Sequence, residues 1–263
     1  VGKPRESGNE RFIVQQVALP ADPPYVAALG MAELRLEIWS DIACPWCYIG
    51  KRRLEAALVQ FPQRDAVRIT WRSFELNPSA PLESDGQGYA ERLANKYGTS
   101  LREAEAMIER VSDAAKAEGL EFDFRIIRPT STFDAHRLLH LAKVLGLQNQ
   151  LKERLFHAYF CEGKVISEVA TLVQLGSEVG IDAQAASEVL RTDGHAKDVR
   201  ADELDARELG IHAVPCFVFG ARFGLSGAQP PDVLLRALDQ AWQDAVITRS
   251  ELAAGAACGP DGC

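Results

Sequence analysis

No stretch of this 263-residue chain is apolar over anything near the ~20 residues that cross a bilayer. Excess positive charge is missing too: 29 Lys and Arg stand against 37 Asp and Glu, a net charge of −8. That balance argues against nucleic acid and anionic membranes as partners. The N-terminal segment has no clean signal-peptide core, because Pro20, Pro23 and Pro24 interrupt its apolar part. Residues 1–32 are therefore expected to be a disordered or non-native leader, and the expected location is cytoplasmic. Strand-like runs are lacking between Pro81 and Leu190, which predicts an all-helical segment there.

Against these absences stand six cysteines. Static disulfides are unusual where thiols are kept reduced, so a redox enzyme or a metal protein fits six cysteines better. Cys44 and Cys47 sit two residues apart in Asp41-Ile42-Ala43-Cys44-Pro45-Trp46-Cys47. The pair follows a strand-like run and precedes a helix-like run at 51–60. Cys-x-x-Cys alone is equally a zinc knuckle. The strand before it and the helix after it favour a thioredoxin-like redox motif. A thiol at a helix N-terminus meets unpaired N–H groups and the positive end of the dipole. Cys44 is thus expected to have a lowered pKa and to be the nucleophile, with Cys47 shielded one turn in as the resolving thiol.

Leu34-Arg35-Leu36-Glu37-Ile38-Trp39 alternates as a strand does, and so does the run 67–74. With the intervening helix they form β–α–β. Ser100 and Glu103 make a capping box for a helix running toward Gly119. Further helical patterns lie at 89–97, 133–145, 150–160, 169–179 (capped by Ser167) and 182–190, and another starts near Asp193. Strand character returns at 216–219 and 222–226 as a hairpin, and Pro230-Pro231 opens a last helix. The expected fold is α/β: a thioredoxin-like core formed by 33–80 plus 191–248, interrupted by an all-helical insertion at 81–190. Residues 249–263 form a tail, with Ala253–Ala257 as a flexible arm.

Val214-Pro215 enters the strand at 216 directly. Trans proline would break the ladder there, so a cis bond is expected, with the Val214 N–H and C=O free to pair with a peptide. Asp41, three residues before Cys44, has two readings: a carboxylate that raises the thiol pKa, or a solvated cap. Glu37 is either a buried proton acceptor for Cys47 or a surface residue at a sheet edge. Cys258 and Cys263 flank the turn sequence Gly-Pro-Asp-Gly and can form a second redox pair exchanging with Cys44–Cys47. A structural disulfide, an idle tail and a tetrathiolate zinc site with Cys44 and Cys47 are the rivals. Cys161 and Cys216 read as structural, and His136 and His140 as surface or partly buried helix residues.

Taken together, the Cys-Pro-Trp-Cys loop, the helical insert, Val214-Pro215 before Cys-Phe-Val-Phe, and Ser226-Gly227-Ala228-Gln229-Pro230 before the last helix resemble the DsbA family. The match is nearest to its FrnE-type branch of cytosolic dithiol–disulfide isomerases and covers about residues 34–246. The resemblance implies protein thiol–disulfide exchange, with Cys44 as nucleophile, Cys47 as resolving thiol and Pro215 as the cis-proline. Val214, Pro45 and Trp46 then meet the substrate. It implies no cofactor or metal beyond redox-active disulfides. Protein or peptide thiols and a cellular thiol reductant would be partners, glutathione is a candidate exchange partner, and a monomer is the default. Trp46 stands where classical DsbA has histidine and brings no positive charge, so isomerase or reductase work fits as well as oxidation. Kappa-class glutathione transferases and chromene-carboxylate isomerases share the fold. They carry serine at the position of Cys44, which argues against that alternative.

Overall fold

The computed structural model describes residues 14–15 and 33–256. Its centre is a sheet of five strands: β1 (Val14–Gln15), β2 (Leu34–Ser40), β3 (Val67–Ser73), β4 (Cys216–Phe219) and β5 (Phe223–Ser226). The order across the sheet is β1-β5-β4-β2-β3. β2 and β3 run parallel, from Leu34 opposite Val67 to Ser40 opposite Ser73. Parallel neighbours need a crossover, and α1 (Pro45–Gln60) supplies it. β4 returns antiparallel to β2, placing Ile38 opposite Phe217 and Trp39 opposite Cys216. The α/β class and the helical insertion expected from the sequence are both present.

Between β3 and β4 the chain is helical: α2 (Tyr89–Tyr97), α3 (Leu101–Ala117), α4 (Phe133–Val144), α5 (Gln148–Phe160), α6 (Val169–Glu178), α7 (Ala183–Arg191) and α8 (Ala196–Glu208). The Ser100–Glu103 capping box forms in both directions, and Asp182 caps α7 by accepting from Ala185 N at 2.9 Å. α9 (Pro231–Ala256) closes the core.

Three expectations need correction. Within the segment read as a leader, Val14–Gln15 is a strand, paired with Leu225 and Gly224 along the otherwise open edge of β5. The arm placed at Ala253–Ala257 is helical through Ala256, in keeping with alanine's strong helix preference. Ser167 does not cap α6; its hydroxyl donates to Leu82 O at 2.5 Å, and Glu168 holds the cap position.

Alternation along β2 and β4 splits their side chains between two cores. Leu34, Leu36, Ile38, Phe217 and Phe219 pack with Leu54, Ala57, Leu234 and Leu238 of α1 and α9. Trp39, Cys216 and Val218 face the other way, into the core shared with the insert. β3 is an edge strand, and the insert covers its C-terminal end with side chains. Gln148 of α5 accepts from Trp71 N at 3.0 Å and donates to Trp71 O at 2.8 Å. Asp202 of α8 accepts from Ser73 N at 2.7 Å. No helix among the described residues is long and apolar enough to cross a membrane.

Candidate active site

β2 ends at Ser40, the chain turns through 41–43, and α1 begins at Pro45. Cys44 is the N-cap residue of α1, with extended φ −94° and ψ 111°. Pro45 stands in the first turn, where a missing N–H does no harm. Backbone bonds from Cys44 N to Asp41 O (3.2 Å) and from Cys47 N to Cys44 O (3.0 Å) fix the loop. Both thiols are free and buried, at 4% and 0% exposure. Trp46 between them is the exposed member of the motif.

The Val214-Pro215 bond is cis, as expected. The Cys44 thiol donates to Val214 O at 3.5 Å, across 170 residues of sequence. Three features hold the proline loop in place beside α1. Gly227 N donates to Pro215 O at 2.7 Å, and Gly227 has φ +83°, a conformation that favours glycine. A Cβ on Gly50 would lie 3.0 Å from Pro215 Cγ and 3.3 Å from the Phe217 ring, so α1 reaches this close only because residue 50 has no side chain. Arg53 of α1 adds a bond to Ala228 O at 2.6 Å. The Ser-Gly-Ala-Gln-Pro run therefore positions the proline loop over the thiols.

Electrostatics correct the expectation for Cys44. Its thiol is raised, not lowered: the Cys47 side chain pushes it up first, then burial, and Asp41 adds to both. The Cys47 backbone N–H, at the helix start, pulls the other way and is outweighed. Asp41 is a buried residue, so its reading as a solvated cap falls. Its carboxylate accepts from Leu76 N (2.7 Å) and Ala43 N (3.3 Å) and lies 3.5 Å from His136 Nε2. Burial pushes this carboxyl up, but His136, Leu76 N–H and Thr132 outweigh burial and hold it below the usual range.

Glu37 takes its second reading in a modified form. Its side chain is 35% exposed and pairs with Arg72 at 3.3 Å. The strand that carries it is internal rather than at an edge. His136 and His140 are not surface residues: they are 1% and 7% exposed. His136 faces Asp41, and His140 lies 3.1 Å from Ser73 Oγ and 3.2 Å from Asp202. Cys216 is buried, and burial pushes its thiol up to about 11. Cys161 is half-buried and also raised by burial. Both suit the structural reading. Cys258 and Cys263 lie outside the described residues. Among the described residues no group of three or more His, Cys, Asp or Glu side chains is arranged to hold a metal.

One residue of the site escaped the sequence reading. Lys152 of α5 has no exposed surface. Burial pulls its ammonium down to about 8, against the opposing pull of Cys47, Asp41 and Cys44. The signal was present in the sequence. Lys152 shares the helical stripe of Leu155, Phe156 and Tyr159, and a lysine on an apolar stripe is either misplaced or employed.

A free dithiol at a helix N-terminus, facing a cis-proline on a thioredoxin-like sheet, defines an oxidoreductase site of the DsbA kind. The chain belongs to the DSBA-like thioredoxin domain family, whose model matches residues 35–239. It is similar to a solved structure described as a probable DsbA oxidoreductase, SCO1869 from Streptomyces coelicolor. That pair is 42% identical, with 88% of this chain and 98% of the other covered and a TM-score of 0.75. "Uncharacterized protein YwbO" of Bacillus subtilis (strain 168) is 28% identical over 213 residues, 78% of this chain and 96% of YwbO. The fold is also that of the cytosolic disulfide reductase DsbM from Pseudomonas aeruginosa, solved with GSH, at 17% identity and TM-score 0.53, covering 83% and 98%.

Proposed function

We propose that this protein exchanges disulfides with protein or peptide thiols through Cys44 and Cys47, in the manner of the FrnE-type branch. The observation that carries the reading is the Cys44 thiol, at the cap of α1 and bonded to Val214 O beside the cis-proline. In the reducing direction, the Cys44 thiolate attacks one sulfur of a substrate disulfide. A mixed disulfide forms, and the other substrate sulfur leaves as a thiolate. Cys47 loses its proton and attacks Cys44 Sγ, releasing the second substrate thiolate and closing the Cys44–Cys47 disulfide. A cellular thiol, glutathione among the candidates, reverses these steps to restore the dithiol. Val214 offers backbone to an extended substrate, and Pro45 and exposed Trp46 offer apolar contact. The cytosol, where thiols are kept reduced, is the compartment that suits this direction. Cys258 and Cys263 are proposed as a second pair that passes electrons to the first, on the strength of the turn sequence between them.

A glutathione redox titration, quenched by alkylation and read cysteine by cysteine with mass spectrometry, tests this. Reversible formation of Cys44–Cys47 is the expected result, and its potential gives the direction of electron flow. The absence of that disulfide, with one metal bound per chain, would replace the reading with a zinc protein. If Cys258→Ser/Cys263→Ser leaves activity and the Cys44–Cys47 redox state unchanged, the relay fails.

A further inference from the structure

Cys44, Cys47, Gly50 and Arg53 follow one another at the spacing of a helix face, the first at the cap of α1 and the others within it. Two of them carry the thiols, and the next two carry contacts to the proline loop. A Cβ on Gly50 would meet Pro215 Cγ at 3.0 Å and Ala228 Cβ at 3.6 Å. Arg53 Nη1 donates to Ala228 O at 2.6 Å. Pro230 and Pro231, just beyond, have no N–H to offer that carbonyl, and the donor it has is a side chain. From there the bonds lead back to sulfur. Gly227, next to Ala228, donates to Pro215 O at 2.7 Å, and Val214 O, next to Pro215, accepts from the Cys44 thiol at 3.5 Å.

Arg53 is itself held from the insert. Its Nε donates to Glu118 Oε1 at 2.7 Å, and both side chains are 19% exposed. Glu118 is the C-cap of α3, where a carboxylate meets the negative end of the helix dipole and works against it. The end it stands on is firmly built. Leu120 N donates to Ala115 O at 2.9 Å and Gly119 N to Lys116 O at 3.0 Å, with Gly119 at φ +72°. Ala115 and Leu120 are buried in the core that contains both thiols. A carboxylate unsuited to its own helix, on a fixed mount, finds its use in the guanidinium it orients. With one nitrogen committed to a carboxylate, the planar fork presents the next to a second acceptor with little freedom left.

We propose that Glu118 of the insert is a positioning residue for disulfide exchange: it holds the Arg53 guanidinium on Ala228 O, and so holds the proline loop in place beside the Cys44 sulfur. This rests on the exchange function proposed above. Glu118 touches no reacting atom. Its effect falls on substrates that use the loop. A peptide whose backbone pairs at Val214 reaches Cys44 with the geometry the loop dictates, and a misplacement of about 1 Å costs up to about a hundredfold in rate. A small thiol reaches the sulfur without the loop.

Stopped-flow reduction of the Cys44–Cys47 disulfide tests this with two probes at equal thiolate concentration, a short peptide with one central cysteine and β-mercaptoethanol. In both reactions the probe thiolate attacks Cys44 Sγ, the Cys44–Cys47 bond breaks and Cys47 leaves with the electron pair. The wild type is expected to react faster with the peptide. Glu118→Ala should slow the peptide about tenfold and leave the β-mercaptoethanol rate within about twofold. Glu118→Gln, which keeps an oxygen for Arg53 Nε, should recover most of that loss. Arg53→Met should lose at least as much as Glu118→Ala, and the double variant no more than Arg53→Met alone, because Glu118 acts through Arg53. A wild type that does not favour the peptide, an unchanged peptide rate in Glu118→Ala, equal losses for both probes, or losses that multiply in the double variant would each overturn the proposal and leave the exchange function standing. A protein in which no Cys44–Cys47 disulfide forms overturns both.

Discussion

The two faces of the sheet are made of opposite materials. Under α1 and α9 the core is apolar throughout, from Leu36 and Ile38 to Phe219 and Leu238. On the insert side, apolar packing surrounds Asp41, His136, His140, Lys152 and Asp202, all buried. Apolar burial stabilises without asking for partners, whereas each buried charge needs a partner or shifts its titration. The thiols stand at the seam and belong to the second core. One face is therefore packed from apolar side chains, and the other carries buried charge close to the thiols.

Removing atoms from the apolar face should have the largest effect on folding. Leu36→Ala is expected to lose roughly 2–5 kcal/mol in urea denaturation, with the rate of Cys44 alkylation in the native state unchanged. A change in that rate would mean that the two faces are not separable. Lys152→Met should act in the opposite sense. The native protein holds this lysine at about 8 against an ordinary 10.5, so folding is penalised while the lysine is charged in both states. The unfolded chain binds more protons only between those values, so wild-type stability rises with pH through that window. The variant should therefore be more stable by about 3 kcal/mol near pH 7, with the gain shrinking from pH 8 and gone above 10.5. A variant less stable at pH 7 would place Lys152 among groups that hold the fold. Glu37→Gln tests the smallest effect: stability within about 0.5 kcal/mol and no change in the pH profile of thiol alkylation. A shifted profile would return Glu37 to the thiols.

The sequence carried the apolar face well, because period-2 and period-3.6 patterns are local. Tyr89–Tyr97 has the bounds expected of it, and β4 matches residue for residue. The site was legible where it is contiguous, at Cys44-Pro45-Trp46-Cys47, and where one bond type announces itself, at Val214-Pro215. The polar face was not. Asp41 meets His136 across 95 residues, and nothing local to His136 says that a carboxylate will cover it. The raised Cys44 thiol has the same origin, since burial and a neighbouring sulfur outweigh the helix start that the sequence displays. Gly50 resembles any helical glycine until Pro215 arrives from 165 positions away.

Gln148 and Asp202 imitate a sixth strand with two side chains. They occupy the amide and carbonyl of Trp71 and the amide of Ser73, the groups by which another chain would extend the sheet. An extended segment of another chain therefore finds the groups of Trp71 and Ser73 already taken.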